Sequence, residues 1–311
     1  MRVFVAGATG AIGRPLLPKL VGAGHEVTGM TRSEERAAGV RQAGASAVVC
    51  DVFDADAVRR AMEEARPEVL VHQLTALPDR IDYRDPHVYE PTNRVRTEGT
   101  RVLLDAARAA GTRRAVVQSI AFVYEPVGGW VKSEDDPVME DAPGSFGTAI
   151  RAVREMEGLV LGADGLEGLV LRYGFFYGPG TAYAADGGLA DDVRRRRMPV
   201  VGRGDGVFPL VHVEDAADAT VAAVERGAEG VYNVVDDEPA PMREWLPAFA
   251  GAVGAPKPLR APKWLARLVA GKGVVAFATE SRGASNAKAK RELGWTPAHP
   301  SWREGFAELS R

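Results

Sequence analysis

The chain has 311 residues, of which 46% are hydrophobic and 26% charged, with a net charge of −3 and one cysteine. That length holds about two domains of ~150 residues and a sizeable core, and the charge gives no pull toward nucleic acid or an anionic membrane. The lone Cys50, in the apolar run SAVVC, excludes an internal disulfide and fits a reducing, cytoplasmic setting. The chain starts in a strand with no signal-peptide pattern, and the apolar segment 264–278 is too short to span a bilayer and carries Arg267 and Lys272. No metal site is expected.

Runs of β-branched residues punctuate the first two thirds in the order RVFVAG, HEVTGM, SAVVCD, EVLVHQ, RAVVQS and GLVLRY, each flanked by an Ala/Arg/Glu-rich helical stretch. This alternation predicts an α/β fold, a Rossmann-type doubly wound parallel sheet with ligands at the carboxyl ends of its strands. The stretch 149–163, AIRAVREMEGLVLGA, reads as one amphipathic helix. After residue 173, YGFFYGPG reads as loop and DGGLADDVRRRR as helix, with Arg194 to Arg197 on a solvated face. VFPLVHV then leads into the helix EDAADATVAAVERG and the strand GVYNVVDD. Short helices and prolines follow from Pro239. The expected organisation is a dinucleotide-binding domain over 1–174, rejoined by 206–238, and a substrate lobe over 175–205 and 239–311.

GATGAIG follows the first strand directly and opens a helix. Glycines at 7 and 10 allow a tight turn and close approach of backbone N–H groups to a pyrophosphate, and Gly13 lets helix pack on strand. Gly7, Thr9, Gly10, Ala11, Ile12 and Gly13 are therefore candidate cofactor contacts. The second strand ends Met30-Thr31-Arg32-Ser33 with no acid before Glu34. An arginine beside a hydroxyl suits a 2′-phosphate, so NADP is expected over NAD, with Arg32, Ser33 and Arg36 around it.

Together with GATGAIG, the segments Asp51-Val52, VHQLTALP, NRVRTEGTRVLLDAAR, QSIAFVYEP, LRYGFFYGPG, LVHVEDAADA and AKAKRELGWTP follow in order the landmarks of the extended short-chain dehydrogenases. Over nearly its whole length the chain resembles this group, also called the NAD-dependent epimerase/dehydratase family. The resemblance implies that Asp51 and Val52 hold the adenine, that Leu74, Ala76 and Asn93 line the cofactor cleft, and that the loop after Arg172 lies beside the nicotinamide. Ser119 is a further candidate contact. Members are commonly dimers through the crossover helices, here about 93–110 and 149–162, so a homodimer is an expected partner beside a small-molecule substrate.

The same resemblance exposes a departure. Members typically activate a substrate hydroxyl with a tyrosine whose phenol is acidified by a lysine one helical turn later, aided by a serine or threonine on the fifth strand. Alignment on Glu157 puts Ala149 and Val153 at the tyrosine and lysine positions, and alignment on VYE puts Ile120 at the serine position. The chain thus reads as an atypical extended short-chain dehydrogenase lacking the Tyr-x-x-x-Lys pair. Tyr124, Tyr173 and Tyr177 are the substitute proton donors to consider, ahead of Lys132 and of His212, whose segment looks structural, with Glu214 or Asp215 at a helix N-terminus. Phe208 stands where nucleotide-sugar enzymes often carry an arginine for the diphosphate. With Phe122, Trp130, Phe146, Phe175 and Phe176 it suggests a pocket for a small apolar or aromatic substrate. The expected function is an NADP(H)-dependent oxidoreductase or epimerase-like enzyme. The alternatives are a non-redox isomerase, cyclase or dehydratase on the same scaffold, and a catalytically silent NADP-binding regulator.

Overall fold

The computed structural model describes residues 1–78, 81–82 and 85–309. Chain order begins β1 (Arg2–Ala6), α1 (Gly13–Gly22), β2 (Glu26–Thr31), α2 (Glu34–Gln42), β3 (Ser46–Val49), α3 (Ala55–Ala65) and β4 (Val69–His72). It continues through α4 (Glu90–Arg94), a π turn (Val95–Gly99), α5 (Thr100–Ala109), β5 (Arg114–Ile120), β6 (Val131–Lys132), α6 (Ser145–Leu161), β7 (Glu167–Tyr173) and β8 (Phe175–Tyr177). Then come α7 (Gly188–Arg194), β9 (Val200–Val201), β10 (Val207–Phe208), β11 (Leu210–His212), α8 (Val213–Glu225) and β12 (Gly230–Val234). The last third holds β13 (Ala240–Pro241), α9 (Met242–Ala252), β14 (Arg260–Ala261), α10 (Lys263–Glu280), β15 (Gly283–Ala284), α11 (Ala287–Leu293) and α12 (Trp302–Glu308).

Seven strands form one parallel sheet in the order β12-β7-β5-β4-β1-β2-β3. The order reverses between β1 and β4, which opens a crevice at their carboxyl ends. Strands buried on both faces need apolar residues throughout, and all four residues of β4, VLVH, are buried. One face of the sheet packs on Leu16, Leu17 and Leu20 of α1, on Ala216 to Val224 of α8, and on Leu293 of α11. The other packs on Val58 and Met62 of α3, Leu103 and Leu104 of α5, and Met156 and Val160 of α6. A separate core around Phe208, Trp245, Phe249, Trp302 and Phe306 is built from the later segments. No helix among the described residues is long and apolar enough to cross a membrane.

Several sequence expectations are corrected at the level of elements. YGFFYGPG is not all loop, because Phe175–Tyr177 pairs in parallel with Leu210–His212. The helix at 149–163 starts four residues earlier than its apolar pattern indicated, at Ser145. The arginine block is mostly outside its helix: α7 ends at Arg194, and Arg196 takes a positive φ of 54°. The short helices expected after Pro239 are present, and α10 is itself two short helices broken at Gly271, whose φ is 86°.

Candidate functional site

The turn from β1 into α1 is built by close approach. A Cβ on Gly7, whose φ is +96°, would lie 2.7 Å from the carbonyl carbon of Gln73, and one on Gly13 would lie 2.3 Å from the oxygen of Gly7. Only glycine fits either place, and the backbone is drawn down so that a ligand can lie over it. α1 has no side-chain cap; in its first turn the Arg14 and Leu16 N–H groups donate to the Gly10 and Ile12 carbonyls and Pro15 has no N–H, so Gly13 carries the N–H left to face a ligand. Ile12 is buried, Thr9 half-buried, and Gly10 and Ala11 exposed. Arg14, which the sequence reading missed, donates to the Thr9 carbonyl at 3.3 Å, and a Cβ on Gly180 would lie 3.9 Å from its Nη1. A cation in the first turn after a glycine loop was the signal.

Along the crevice, the buried His72 ring meets Thr100 Oγ1 at 3.1 Å through Nε2 and accepts the Leu74 N–H through Nδ1 at 3.2 Å. Burial pushes its pKa down to about 4, so it stays neutral. The Ala76 N–H donates to Thr92 Oγ1 at 3.1 Å, and Asn93 Nδ2 donates to Thr148 Oγ1 at 3.2 Å. Asp51 is exposed and accepts the Phe53 N–H at 2.9 Å, beside buried Val52. Thr31 Oγ1, Gln73 Oε1 and Asn93 Oδ1 are buried without a protein partner. Orphaned polar atoms around a glycine cradle fit a dinucleotide.

Beneath α6 lies a buried polar network that the sequence did not reveal. Glu157 takes a bidentate pair from Arg172, Nε to Oε1 at 2.9 Å and Nη2 to Oε2 at 2.6 Å, and accepts the Ser119 hydroxyl at 2.5 Å. Arg172 Nη1 donates to the Tyr124 hydroxyl at 3.0 Å, which donates to Asn233 Oδ1 at 2.7 Å. Ser119 is thus engaged under the helix, away from the crevice. Burial pushes the Tyr124 phenol up to about 12, which weakens it as a proton donor. Tyr173 is buried with Thr220 and Gln73 as partners, and Tyr177 is buried with its hydroxyl unpartnered; burial raises both phenols. Ala149 and Val153 are fully buried, Ala149 beside Val88, Tyr89 and Phe146, and Val153 beside Ile150 and Tyr124.

Beyond β5 the aromatic residues converge. Phe122 stacks on Phe175 at 4.2 Å and faces Phe146 at 6.3 Å, while Phe208 lies 5.4 Å from Phe175. Phe277 of α10, absent from the sequence expectation, contacts all four, with centroid distances from 5.3 to 5.9 Å. Trp130 stands apart, exposed and stacked under Arg282 at 4.1 Å, and Phe176 packs on Tyr173.

His212, Asp215 and His299 bring ligand-type atoms within 4.8 Å of one another. They are engaged otherwise. His212 Nδ1 accepts the Glu214 N–H at 3.2 Å and so caps α8, with Glu214 and Asp215 in the first turn of that helix as expected. Asp215 accepts the N–H groups of Ala298 and His299 at 2.7 and 2.9 Å, and the two imidazoles stack at 3.8 Å.

Known proteins align with the chain at this geometry. A 3-diazoavenalumate denitrifying reductase from Streptomyces sp is 50% identical, with 98% of this chain and 99% of the relative covered. The UDP-glucose 4-epimerase of Mycolicibacterium smegmatis is 30% identical, with 99% and 97% covered. Among solved structures, the UDP-glucose 4-epimerase of Thermus thermophilus in complex with NAD superposes with a TM-score of 0.72 at 26% identity, covering 100% of this chain and 98% of that one.

Two expectations are corrected by these relatives. The expectation of NADP over NAD is overturned by the Thermus complex, whose dinucleotide is NAD. At the end of β2 the Ser33 Oγ accepts the Arg36 N–H as the cap of α2, which gives that hydroxyl a structural role in place of the expected phosphate contact. The small apolar or aromatic substrate, preferred over a nucleotide sugar, is overturned as well, since two of these relatives are UDP-glucose 4-epimerases. The family model for the NAD dependent epimerase/dehydratase family matches residues 3–235, and the chain belongs to that family.

Proposed function

We propose that the chain is an NAD(H)-dependent reductase that delivers hydride to a diazonium-bearing carboxylate with loss of dinitrogen, on an extended short-chain dehydrogenase scaffold working without the tyrosine and lysine pair. The substrate class follows the name of the 50% identical relative. What carries the reading is the pair of buried apolar residues, Ala149 and Val153, where relatives move a proton. Carbonyl reduction needs one proton for every hydride, and no crevice tyrosine among the described residues is placed to give it. Bound NADH supplies the hydride: added to the terminal nitrogen of R–N2+, it gives neutral R–N=NH, which loses N2 and leaves R–H, so atoms and charge balance without a proton from the protein.

In this reading the chain's own residues bind and orient. The glycine turn and Arg14 hold the pyrophosphate, Asp51 and Val52 flank the adenine, and Gln73 Oε1 and Asn93 Oδ1 accept hydrogen bonds along the crevice. Residues 1–174 and 206–238 hold the dinucleotide, and 175–205 with 239–311 close over the substrate. Phe122, Phe146, Phe175, Phe208 and Phe277, packed on one another, give that end of the crevice an apolar wall that would keep water away from a group that water destroys. A second reading, a nucleotide-sugar oxidoreductase, draws on the 30% identical epimerase; Phe208 at the diphosphate position weighs against it.

The test is anaerobic incubation with C4-deuterated NADH and an arenediazonium carboxylate, against heat-inactivated protein. Enzyme-dependent N2 release, matched one to one by cofactor oxidation and deuterium in the product, is the expected result. No N2 above the inactivated control, with turnover of UDP-glucose in a parallel incubation, would transfer the assignment to the second reading.

A further inference from the structure

The π turn between α4 and α5 carries Arg96, which is 8% exposed. Among the described residues it forms no hydrogen bond and no ion pair. None of its nitrogens is among the fully enclosed unpartnered polar atoms, so the guanidinium keeps a narrow opening to solvent while the rest of the side chain is covered, and a largely covered cation with no counter-ion asks for a reason. Two threonines show where it points. Thr92 and Thr100 stand four residues before and after it on the same helical face; Thr92 accepts the Ala76 N–H, and Thr100 meets His72 at the end of β4. These two contacts set this stretch of chain against the carboxyl end of β4, with Arg96 between them.

Its electrostatic neighbours are Tyr89 and Glu157. Glu157 does not neutralise it, because that carboxylate is held bidentately by Arg172. The group of Arg96, Arg172 and Glu157 thus carries one net positive charge. Glu157 lies one turn beyond Val153 on α6, so Arg96 brings a cation close to the place where relatives keep their lysine. Burial lowers its pKa to about 10, which leaves it charged at neutral pH.

With the pyrophosphate over the α1 N-terminus and the adenine half on the β2 and β3 side, the nicotinamide half extends over β4 and β5. We propose that Arg96 poises the bound cofactor: its uncompensated charge at the β4 end of the crevice disfavours the cationic ring of NAD+ against the neutral ring of NADH and biases the site toward reduction. This rests on the NAD(H) part of the reading above and is independent of the diazonium substrate.

The experiment is titration of the full chain with NADH and with NAD+ separately, by calorimetry, for the wild type, Arg96→Met and Arg96→Lys. The wild type is expected to bind NADH the more tightly. The ratio of the two dissociation constants should shift toward NAD+ by about tenfold in Arg96→Met, and most of it should be kept in Arg96→Lys. An unchanged ratio in Arg96→Met overturns the proposal while leaving the cofactor reading intact. If neither nucleotide binds the wild type, both fall. Arg96→Gln replaces the methionine variant if that does not fold; should neither fold, wild-type binding of NADH no tighter than NAD+ is overturning by itself.

Discussion

The glycine turn and the floor beneath α6 sit at the same edge of one sheet, yet they handle polar groups in opposite ways. At the turn, α1 has no side-chain cap, and Thr31, Gln73 and Asn93 each keep a polar atom without a partner among the described residues. Under α6, Ser119, Glu157, Arg172 and Tyr124 use one another, and only Asn233 Nδ2 of that group is unpartnered among the described residues. Open groups are tolerated where a ligand completes them. The floor, by contrast, is closed by protein and reads as support. Proton transfer in this family runs along α6, and here that helix presents Ala149 and Val153 above a saturated network.

The contrast can be broken most directly at the floor. Glu157→Ala leaves Arg172, 4% exposed, without its counter-ion, and should lower stability by about 3–5 kcal/mol in a urea titration. A loss below about 1 kcal/mol would mean that the network is solvated and the distinction false.

Next in size is an acid effect confined to the open half. His72 has its pKa lowered to about 4 by burial, so the folded state prefers the neutral ring. Its contribution is complete above the unfolded-state value near 6.5 and is lost as pH falls toward about 4, at ~1.4 kcal/mol for each pH unit separating the two values. His72→Gln should flatten the stability profile across that window while leaving the behaviour above it unaltered; a variant as acid-sensitive as the wild type refutes the assignment.

The smallest effect sharpens the comparison. Restoring the family pair as Ala149→Tyr with Val153→Lys should fail to create carbonyl reductase activity, because Ala149 is enclosed by Val88, Tyr89 and Phe146 and the phenol has no route to the crevice. Overpacking at Ala149 alone should cost about 1–3 kcal/mol in thermal unfolding. Gain of carbonyl turnover would show that the floor is more open than its packing indicates.

Local order was legible in the chain by itself. Strands β1 to β5 and β7 appear as apolar runs because a parallel sheet covered on both faces requires them, and GATGAIG is visible because steric exclusion at Gly7 and Gly13 leaves no other residue type. That α6 carries Ala149 and Val153 four residues apart, with no tyrosine or lysine, could be read too. Tertiary structure decided the rest. Whether Tyr124 faces ligand or Arg172, whether Ser119 looks to the crevice or to Glu157, and which phenylalanines meet depend on contacts between segments far apart in sequence; Phe277 joins Phe122 across nearly half the chain. The same holds for Arg96. Its residue type was plain from the start, but only the folded packing of the π turn against α6 shows a largely covered cation with no counter-ion among the described residues, because burial and pairing are properties of three-dimensional neighbours and not of sequence spacing.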